Sequence, residues 1–339
     1  MPAALPPRLF EAPAAFPYAW ETDCCVFVPM DRAAYTASIF LDRRIVPASD
    51  TTLTIPLADL QPPAAALTTG WIFHLAHCGS TLLARALDRP LSGLVLREPL
   101  ILRQLGVEAA ARTPANIQPR LALAAALLGR RYDAAPPTII KANVPVNMLL
   151  PAIAGQSPAA PAIFLHFPLT AYLLAILRSP NHRQWVRFIT DELGPGLTSL
   201  VGPLPENEAA RAAALWLAQM RAFAAAMACM PNSHSLDAET LFTAPAPVLA
   251  AATALFGQPA SPAEIHAITT GPLFTTYSKN PALAFDNATR AAREAELAKT
   301  LAPELAIARQ WLTPRLAAYP LPPRLPRPLV TGAPRRDLV

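Results

Sequence analysis

Short apolar runs alternate with segments of helical periodicity over the middle of the chain, a pattern typical of parallel strands joined by helices. The runs that predict strands are 70–75, 94–96, 138–140, 162–165 and 233–236. The segments that predict helices are 80–87, 100–106, 117–131, 168–177, 206–230, 245–256 and 289–311. We therefore expect an α/β fold of three layers, with a central parallel sheet flanked by helices.

The segment 206–230 has a clear helical periodicity that ends at Pro231. The apolar residues that recur at steps of three and four are Trp216, Met220, Phe223, Met227 and Met230. This spacing places them on one face of a helix, and we expect that face to lie in the core.

The two ends of the chain have different patterns. Short β-rich pieces at 25–28 and 51–55 predict a small N-terminal β-containing module over residues 1–66, which ends near Pro62 and Pro63. Residues 67–311 form the predicted α/β domain. Residues 312–339 are rich in proline and arginine without apolar periodicity, which predicts an extended or mobile tail that packs little against the domain.

Composition indicates a globular protein, since 53% of the 339 residues are hydrophobic and 15% are charged. The stretch 142–177 has no charged residue, but five prolines interrupt it, so we predict no transmembrane segment and no membrane partner. The N-terminus lacks a signal-peptide pattern, and the four cysteines lack the spacing of metal ligands. We therefore expect a cytoplasmic protein without a metal site.

The net charge of +5 does not indicate a nucleic-acid-binding surface, because it is concentrated at one end. Five arginines against one aspartate give residues 312–339 a charge of +4, so the rest of the chain is almost neutral. A nucleic-acid-binding domain normally clusters its basic residues on a folded face. We expect no nucleic-acid partner.

The candidate chemistry begins where the first predicted strand of this domain runs into a short turn and then a helix. The turn reads His77-Cys78-Gly79 and the helix opens with Ser80 and Thr81. Unpaired N–H groups at a helix N-terminus, together with the helix dipole, bind phosphate or sulfate. Glycine allows close approach of the anion, and the two hydroxyls can donate further hydrogen bonds. This junction predicts a P-loop-type anion site.

Two other phosphate chemistries fit the same segment less well. A nucleotide-hydrolysing P-loop has a lysine after its second glycine, whereas Ser80 follows Gly79 here. A cysteine phosphatase loop requires C-x5-R, whereas Cys78 and Arg85 give C-x6-R. Cys78 is then a small turn residue, and a strand–turn–helix junction without a special function remains an alternative.

Four segments of the chain resemble, in this order, the bacterial P-loop sulfotransferase-like family, relatives of the enzymes that use 3′-phosphoadenosine 5′-phosphosulfate (PAPS). They are FHLAHCGSTLL from residue 73, REPL from residue 97, IKAN from residue 140 and YSK from residue 277. Together they span most of 70–286. The resemblance implies a P-loop fold, PAPS as co-substrate and no metal requirement.

The resemblance also implies roles for individual residues of this chain. The turn around Gly79, with Cys78, Ser80 and Thr81, would hold the 5′-phosphosulfate, and His77 stands where cytosolic relatives have a lysine. Lys141, at the end of the third strand of the domain, would supply the missing cation; a solvated lysine is the alternative for it.

The positions that bind the 3′-phosphate in the family differ in this chain. An arginine at the end of the fourth strand aligns with His166, and a serine in the next helix aligns with Leu174 or Ala175. The basic residues that could replace them are Arg178, Arg183, Arg187 and Lys279.

Glu98 follows the second strand of the domain at the same sheet edge, and the resemblance implies that it accepts the acceptor's proton. The alternative is a carboxylate that stabilises the N-terminus of the following helix. The resulting hypothesis is a PAPS-dependent sulfotransferase acting on a hydroxyl or amine of a small molecule, glycan or peptide. A kinase-like protein that uses Lys141 and a non-catalytic nucleotide- or anion-binding protein remain open.

Overall fold

The computed structural model describes residues 8–62, 68–90, 92–111, 117–132, 135–277, 280–284, 286–334 and 336–339. The strands are β1 Ala15–Glu21, β2 Cys24–Pro29, β3 Leu53–Pro56, β4 Gly70–His74, β5 Val95–Arg97, β6 Ile139–Lys141, β7 Ala162–His166, β8 Ser233–Asp237, β9 Thr276–Tyr277 and β10 Asn280–Ala284. They form a five-stranded parallel sheet, a three-stranded antiparallel sheet near the N-terminus and a two-stranded antiparallel sheet.

The helices of the first half are α1 Arg32–Ala37, α2 Ser80–Leu87, α3 Leu100–Ala110, α4 Ile117–Leu128, α5 Leu150–Gln156, α6 Leu169–Leu177 and α7 Pro180–Glu192. Those of the second half are α8 Gly194–Val201, α9 Glu208–Cys229, α10 Ala238–Thr243, α11 Pro245–Leu255, α12 Pro262–Thr270, α13 Pro272–Thr275, α14 Asn287–Thr300 and α15 Ala302–Ala318. Short 3₁₀ helices cover Leu57–Asp59 and Val144–Leu149.

The strand order of the main sheet places β4 at its centre. The order is β5-β6-β4-β7-β8, and every neighbouring pair is parallel. After β6 the chain passes over β4 to form β7, so the strand order reverses at β4. In open parallel sheets, ligands bind beyond the carboxyl ends of the strands at such a reversal. The segment that follows β4 is the predicted anion-binding turn.

Helices cover both faces of this sheet, which confirms the three-layer α/β prediction. Phe73 of β4 stacks on Phe164 of β7 at 5.2 Å between ring centroids, and Phe223 of α9 contacts Phe164 at 5.0 Å. On the opposite face Phe256, at the end of α11, lies against Gly70 so closely that a Cβ atom would come within 2.4 Å of its ring. Gly70 and Phe73 are three residues apart on β4, so they lie on opposite faces of the sheet. Helices α9 and α11 therefore pack on opposite sides of β4.

Helix α9 confirms the predicted core stripe, since Trp216, Met220, Phe223, Met227 and Met230 are all buried. By length and composition alone this helix could cross a membrane, although 67% of its most apolar window is buried within the protein. The predicted helical segment 289–311 is two helices, α14 and α15, which meet at Leu301. Pro303 lies in the first turn of α15, a position that suits proline because no helical N–H is lost there.

Residues 35–41 of the N-terminal module contact the main sheet through Arg97, at the end of β5. The Arg97 guanidinium is buried, pairs with Asp88 at 2.6 Å and donates hydrogen bonds to the carbonyl oxygens of Tyr35 and Ser38, both at 2.6 Å. The backbone of Leu41 donates to the carbonyl of Arg97 at 2.7 Å. These contacts hold residues 35–41 against the carboxyl end of β5.

The C-terminal residues pack against the domain, so the prediction of a loosely attached tail is wrong. Helix α15 extends to Ala318, and the leucines of this region that are buried are Leu312, Leu325, Leu329 and Leu338. Pro328 forms a parallel bridge to Ser235 of β8, and Arg327 donates to carbonyl groups at the end of α9. Proline suits the edge of a sheet because an edge position needs no N–H on its outer side. Prolines of this segment therefore pack along the sheet edge, and arginines such as Arg327 donate hydrogen bonds to carbonyl groups at a helix end.

Candidate functional site

The turn between β4 and α2 has a backbone that only certain residues adopt readily. Gly79 has φ +83° and His77 has φ +62°, both in the left-handed region. A Cβ atom at Gly79 would also lie 2.9 Å from the Phe242 ring. Backbone conformation and space therefore both require glycine at this position.

Ser80 and Thr81 open α2 and line a large cleft. Thr81 is 2% exposed, and within the described residues its Oγ1 has no hydrogen-bond partner. Buried hydroxyl groups are normally hydrogen-bonded, and leaving one unpaired costs about 1–3 kcal/mol. An unpaired hydroxyl beside the open N–H groups of a helix N-terminus fits an anionic ligand.

Cys78 occupies the same turn but its side chain points inward. The thiol is buried and donates to the carbonyl of Leu75 at 2.8 Å. It does not line the cleft. This geometry agrees with a small turn residue and gives the thiol no access to a phosphate ester.

The cleft has a volume of about 870 Å³ and lies along the carboxyl edge of the main sheet. The predicted site residues that line it are His77, Gly79, Ser80, Thr81, Glu98 and Arg178. Lys141 and Arg183 do not line it. Lys279 lies outside the described residues.

Glu98 and Lys141 form an ion pair at the ends of the neighbouring strands β5 and β6. Lys141 is 0% exposed and Glu98 is 17% exposed. The backbone N–H of Glu98 also donates to the carbonyl of Lys141 at 2.8 Å, and Glu98 has φ +58°. Lys141 was expected to supply a cation to the anion site. Because the two strands are adjacent and parallel, its ammonium group instead meets the carboxylate of Glu98.

Two further basic side chains approach Glu98. His74 Nε2 lies 4.0 Å from Oε1, and an Arg44 nitrogen lies 4.0 Å from Oε2. His74 Nδ1 lies 2.7 Å from the carbonyl oxygen of Leu75, so this nitrogen carries a proton and donates it. Arg44 comes from the N-terminal module, and its contact with Glu98 was not foreseen from the sequence.

The other side of the cleft is lined by arginines. Arg178 is exposed at the end of α6, and Arg290 and Arg293 lie on α14. Arg290 pairs with Glu239 at 2.6 Å and with Glu294 at 2.7 Å. Among the described residues, no ion pair engages Arg293. Their spacing of three places Arg290 and Arg293 on one helical face, but the sequence has no signal that places this helix beside the cleft.

Arg183 and His166 lie away from the cleft. Arg183 donates to the carbonyl of Leu177 at 2.9 Å and pairs with Glu208 at 3.2 Å and Glu304 at 3.3 Å. It therefore connects α7, α9 and α15. The His166 side chain lies beside the C-terminal segment. Burial lowers the pKa of His166, whereas the negative charge of Asp237 acts to raise it.

At the positions that correspond to the family's 3′-phosphate serine, Leu174 and Ala175 do line the cleft. Neither side chain carries a hydrogen-bond donor. The arginines of α6 and α14 are therefore the cations that the cleft offers on this side of the turn.

Two aromatic side chains of α7 contact His77, and the sequence did not predict these contacts. The ring of His182 lies edge-on to His77 at 4.2 Å between centroids, and Trp185 lies at 6.2 Å. His182 Nδ1 is 2.6 Å from the hydroxyl of Ser179, the N-cap of α7. The Ser-Pro start of α7 could have indicated this cap, but the contact with His77 spans about a hundred residues of chain. In the described part of the chain, no group of three or more His, Cys, Asp or Glu side chains could hold a metal ion.

A solved structure is similar to this chain. No family model matches the sequence, and no curated protein matches it. The chain is similar to the sulfotransferase domain from the curacin biosynthetic pathway, with 13% sequence identity and a TM-score of 0.39. That match covers 71% of this chain and 99% of the other.

Proposed function

We propose that the protein is a sulfotransferase that binds PAPS at the Gly79 turn and transfers its sulfuryl group to a hydroxyl or amine acceptor. The observation that carries the anion site is the buried, unpartnered Thr81 hydroxyl beside a left-handed Gly79 at the N-terminus of α2. The choice of a sulfuryl group as the transferred group rests on the sequence resemblance alone.

The strand order supports an orientation for the two substrates. Across the sheet edge lie Glu98 after β5, Asn143 after β6, the Gly79 turn after β4 and Arg178 after β7 with its helix. The arginines of α6 and α14 lie on the β7 and β8 side, and Glu98 lies on the β5 side. We place the nucleotide on the arginine side, with Arg178 and Arg293 available to its 3′-phosphate, and the acceptor beside Glu98.

The residues around the turn fit a phosphosulfate group. The donor would supply the sulfuryl group. The backbone N–H groups of α2 and the hydroxyls of Ser80 and Thr81 would bind and stabilise its negatively charged oxygens. Gly79 leaves room for that approach. His77 lines the cleft and can donate a hydrogen bond from the position of the missing lysine.

We assign Glu98 the role of general base. As the acceptor oxygen or nitrogen forms its bond to sulfur, the bond between sulfur and the phosphate oxygen breaks and its electron pair leaves with adenosine 3′,5′-bisphosphate. The acceptor's proton passes to the Glu98 carboxylate. Lys141 is fully buried and contacts Glu98, so we assign it the role of positioning that carboxylate.

The same ion pair disfavours the kinase-like alternative. That alternative needs Lys141 as the cation for the β- and γ-phosphates. Lys141 does not line the cleft, and its ammonium group already pairs with Glu98. The sulfotransferase proposal does not need a free lysine at this point.

The first test is ligand-induced thermal stabilisation of the full chain. Adenosine 3′,5′-bisphosphate should raise the melting temperature more than adenosine 5′-phosphate or ATP with magnesium. Gly79→Ala should remove this stabilisation, because its Cβ atom would meet Phe242 and distort the turn.

The matched control is Gly257→Ala. Gly257 also has positive φ, +67°, but a Cβ atom added there would have no other atom within 4 Å, and the residue lies outside the cleft. This variant should lose only the small amount of stability that a positive φ costs a residue with a Cβ atom, and it should keep the nucleotide response. Equal nucleotide binding by folded Gly79→Ala and wild-type protein would show that the turn is not the donor site.

A further inference from the structure

The acceptor side of the cleft has a fixed wall that comes from the N-terminal module. Phe40, Asp42 and Arg44 line the cleft next to Glu98. The backbone of Leu41 donates to Arg97 at 2.7 Å and accepts from Leu100 at 3.1 Å, so it is bonded on both sides of Glu98. We call residues 38–44 the acceptor wall.

The opposite boundary is α7, which runs from the anion turn towards α3. His182, near its start, contacts His77, and Glu192, at its end, pairs with Arg103 of α3 at 2.5 Å. Between them Trp185, Phe188 and Ile189 line the cleft. Their spacing places them near one face of the helix. Phe188 is 57% exposed, so its ring is open to a ligand in the cleft.

The charged side chains on this side are already paired within the chain. Arg44 forms two hydrogen bonds to Asp42, at 2.8 and 2.5 Å, and its guanidinium carbon lies 3.7 Å from the centre of the Phe40 ring. Glu98 pairs with Lys141, and Arg103 pairs with Glu192. A charged acceptor would therefore have to compete with these pairs for a counterion.

Among the described residues, Asn143 brings to this side a buried polar atom that makes no hydrogen bond. Asn143 follows β6, lines the cleft and is 8% exposed, and within the described residues its Oδ1 has no hydrogen-bond partner. It stands at the N-cap position of a 3₁₀ helix without making a side-chain capping bond. A carbonyl oxygen only accepts, so the missing partner is an O–H or N–H donor.

From these observations we infer that the acceptor is an uncharged molecule with an apolar body and a hydroxyl group. Before reaction its hydroxyl donates to Asn143 Oδ1, and the same O–H turns to Glu98 when the proton is transferred. Its apolar body packs against Trp185 and Phe188. This inference rests on the proposed function, because it takes the β5 side of the cleft as the acceptor side. Asn143 is then a specificity-determining residue.

The test measures binding of three naphthalene probes to the full chain by equilibrium dialysis, with and without adenosine 3′,5′-bisphosphate. The probes are 2-naphthol, its methyl ether 2-methoxynaphthalene, which has no O–H donor, and 6-hydroxy-2-naphthoate, which carries a charge. At neutral pH, 2-naphthol should bind more tightly than either of the other two.

Two variants locate the probe. Asn143→Ala should weaken 2-naphthol by about 2- to 12-fold, the value of one hydrogen bond, and leave the methyl ether unchanged. Its melting temperature should not fall, because the side chain makes no hydrogen bond within the described chain. Phe188→Ser should weaken both neutral probes by about 5- to 30-fold through lost apolar contact. Val46→Ser, which alters a half-exposed valine outside the cleft, is the control and should change neither.

The results separate this inference from the proposed function. If the nucleotide binds but 6-hydroxy-2-naphthoate binds as tightly as 2-naphthol, or Asn143→Ala weakens both neutral probes equally, the acceptor assignment is wrong and the donor assignment stands. If 2-naphthol responds to both variants as expected but no adenosine nucleotide binds, the cleft has the inferred chemistry and the sulfotransferase proposal is wrong.

Discussion

At the scale of single residues, the buried pair of Glu98 and Lys141 has two consequences that one substitution cannot separate. Glu98→Gln removes the carboxylate proposed as the base and also leaves the fully buried ammonium of Lys141 without its partner. Breaking a buried ion pair from one side typically costs about 3–5 kcal/mol. We expect the lower end, because Glu98 is 17% exposed. The measurement is the free energy of unfolding in urea.

A double substitution isolates the chemical role. Glu98→Gln with Lys141→Met removes both charges, so most of the lost stability should return. Turnover should stay about 10²–10⁴-fold below the wild type, while affinity for adenosine 3′,5′-bisphosphate stays nearly constant. If the folded double variant kept wild-type turnover, Glu98 would not be the general base and another residue would have to accept the proton.

The two non-glycine residues of the site in the left-handed region, His77 and Glu98, also show a limit of sequence reasoning. Outliers of this kind often occur at functional sites, because surrounding contacts hold them in place. Here the contacts come from distant parts of the chain, such as Leu41 beside Glu98 and His182 beside His77. No local pattern reports such contacts.

At the scale of elements, the five strands of the main sheet and the helices α2, α3, α4, α6, α9 and α11 were predicted within a few residues, whereas α5, α7, α8, α10, α12 and α13 were not predicted. Continuous apolar runs identify buried parallel strands, and prolines and glycines mark the ends of elements, so this signal is local. The turn around Gly79 was predicted for the same reason. The position of the α14 arginines and of the acceptor wall at the cleft was not predicted, because it depends on how distant elements pack against each other.

The contact between β7 and the C-terminal segment predicts a pH dependence. Burial lowers the pKa of His166 below its usual 6.5, against the opposing effect of Asp237, and Arg336 pairs with Asp237 at 2.5 Å. The unfolded chain therefore binds more protons than the folded one below about pH 6.5, so stability is full above that pH and falls as the pH drops. Protection factors for hydrogen exchange in residues 325–334, which correct for the slower intrinsic exchange at acid pH, should be lower at pH 5.5 than at pH 7.5.

His166→Gln should flatten this pH dependence, because glutamine does not titrate. His266→Gln is the control, since His266 is exposed on α12 and should leave the dependence unchanged. Equal pH dependence in His166→Gln and wild type would assign the effect to another group.

At the scale of the whole molecule, the C-terminal residues complete the core. Removing residues 319–339 exposes Leu325, Leu329 and Leu338 and uncovers the edge of β8. Each buried leucine contributes about 1.5–3 kcal/mol. We expect the melting temperature to fall on the order of 10 °C.

Tyr319→Ala is the point control for this truncation, because Tyr319 is largely exposed and should change the melting temperature little. A truncated protein that melts within about 2 °C of the full chain would support the loosely attached tail that composition predicts. Proline and arginine content misled that prediction because the same residues occur in mobile linkers and in edge and capping contacts.

The attachment of residues 38–44 on both sides of Glu98 has a consequence for engineering. This short stretch reaches the side of the cleft proposed for the acceptor, whereas the Gly79 turn and the arginines of α6 and α14 come from later parts of the chain. A library randomised at positions 40, 42 and 44 alone would then vary acceptor choice while the nucleotide half of the cleft keeps its sequence. Members of such a library could be sorted for retained nucleotide binding first and for new acceptors second.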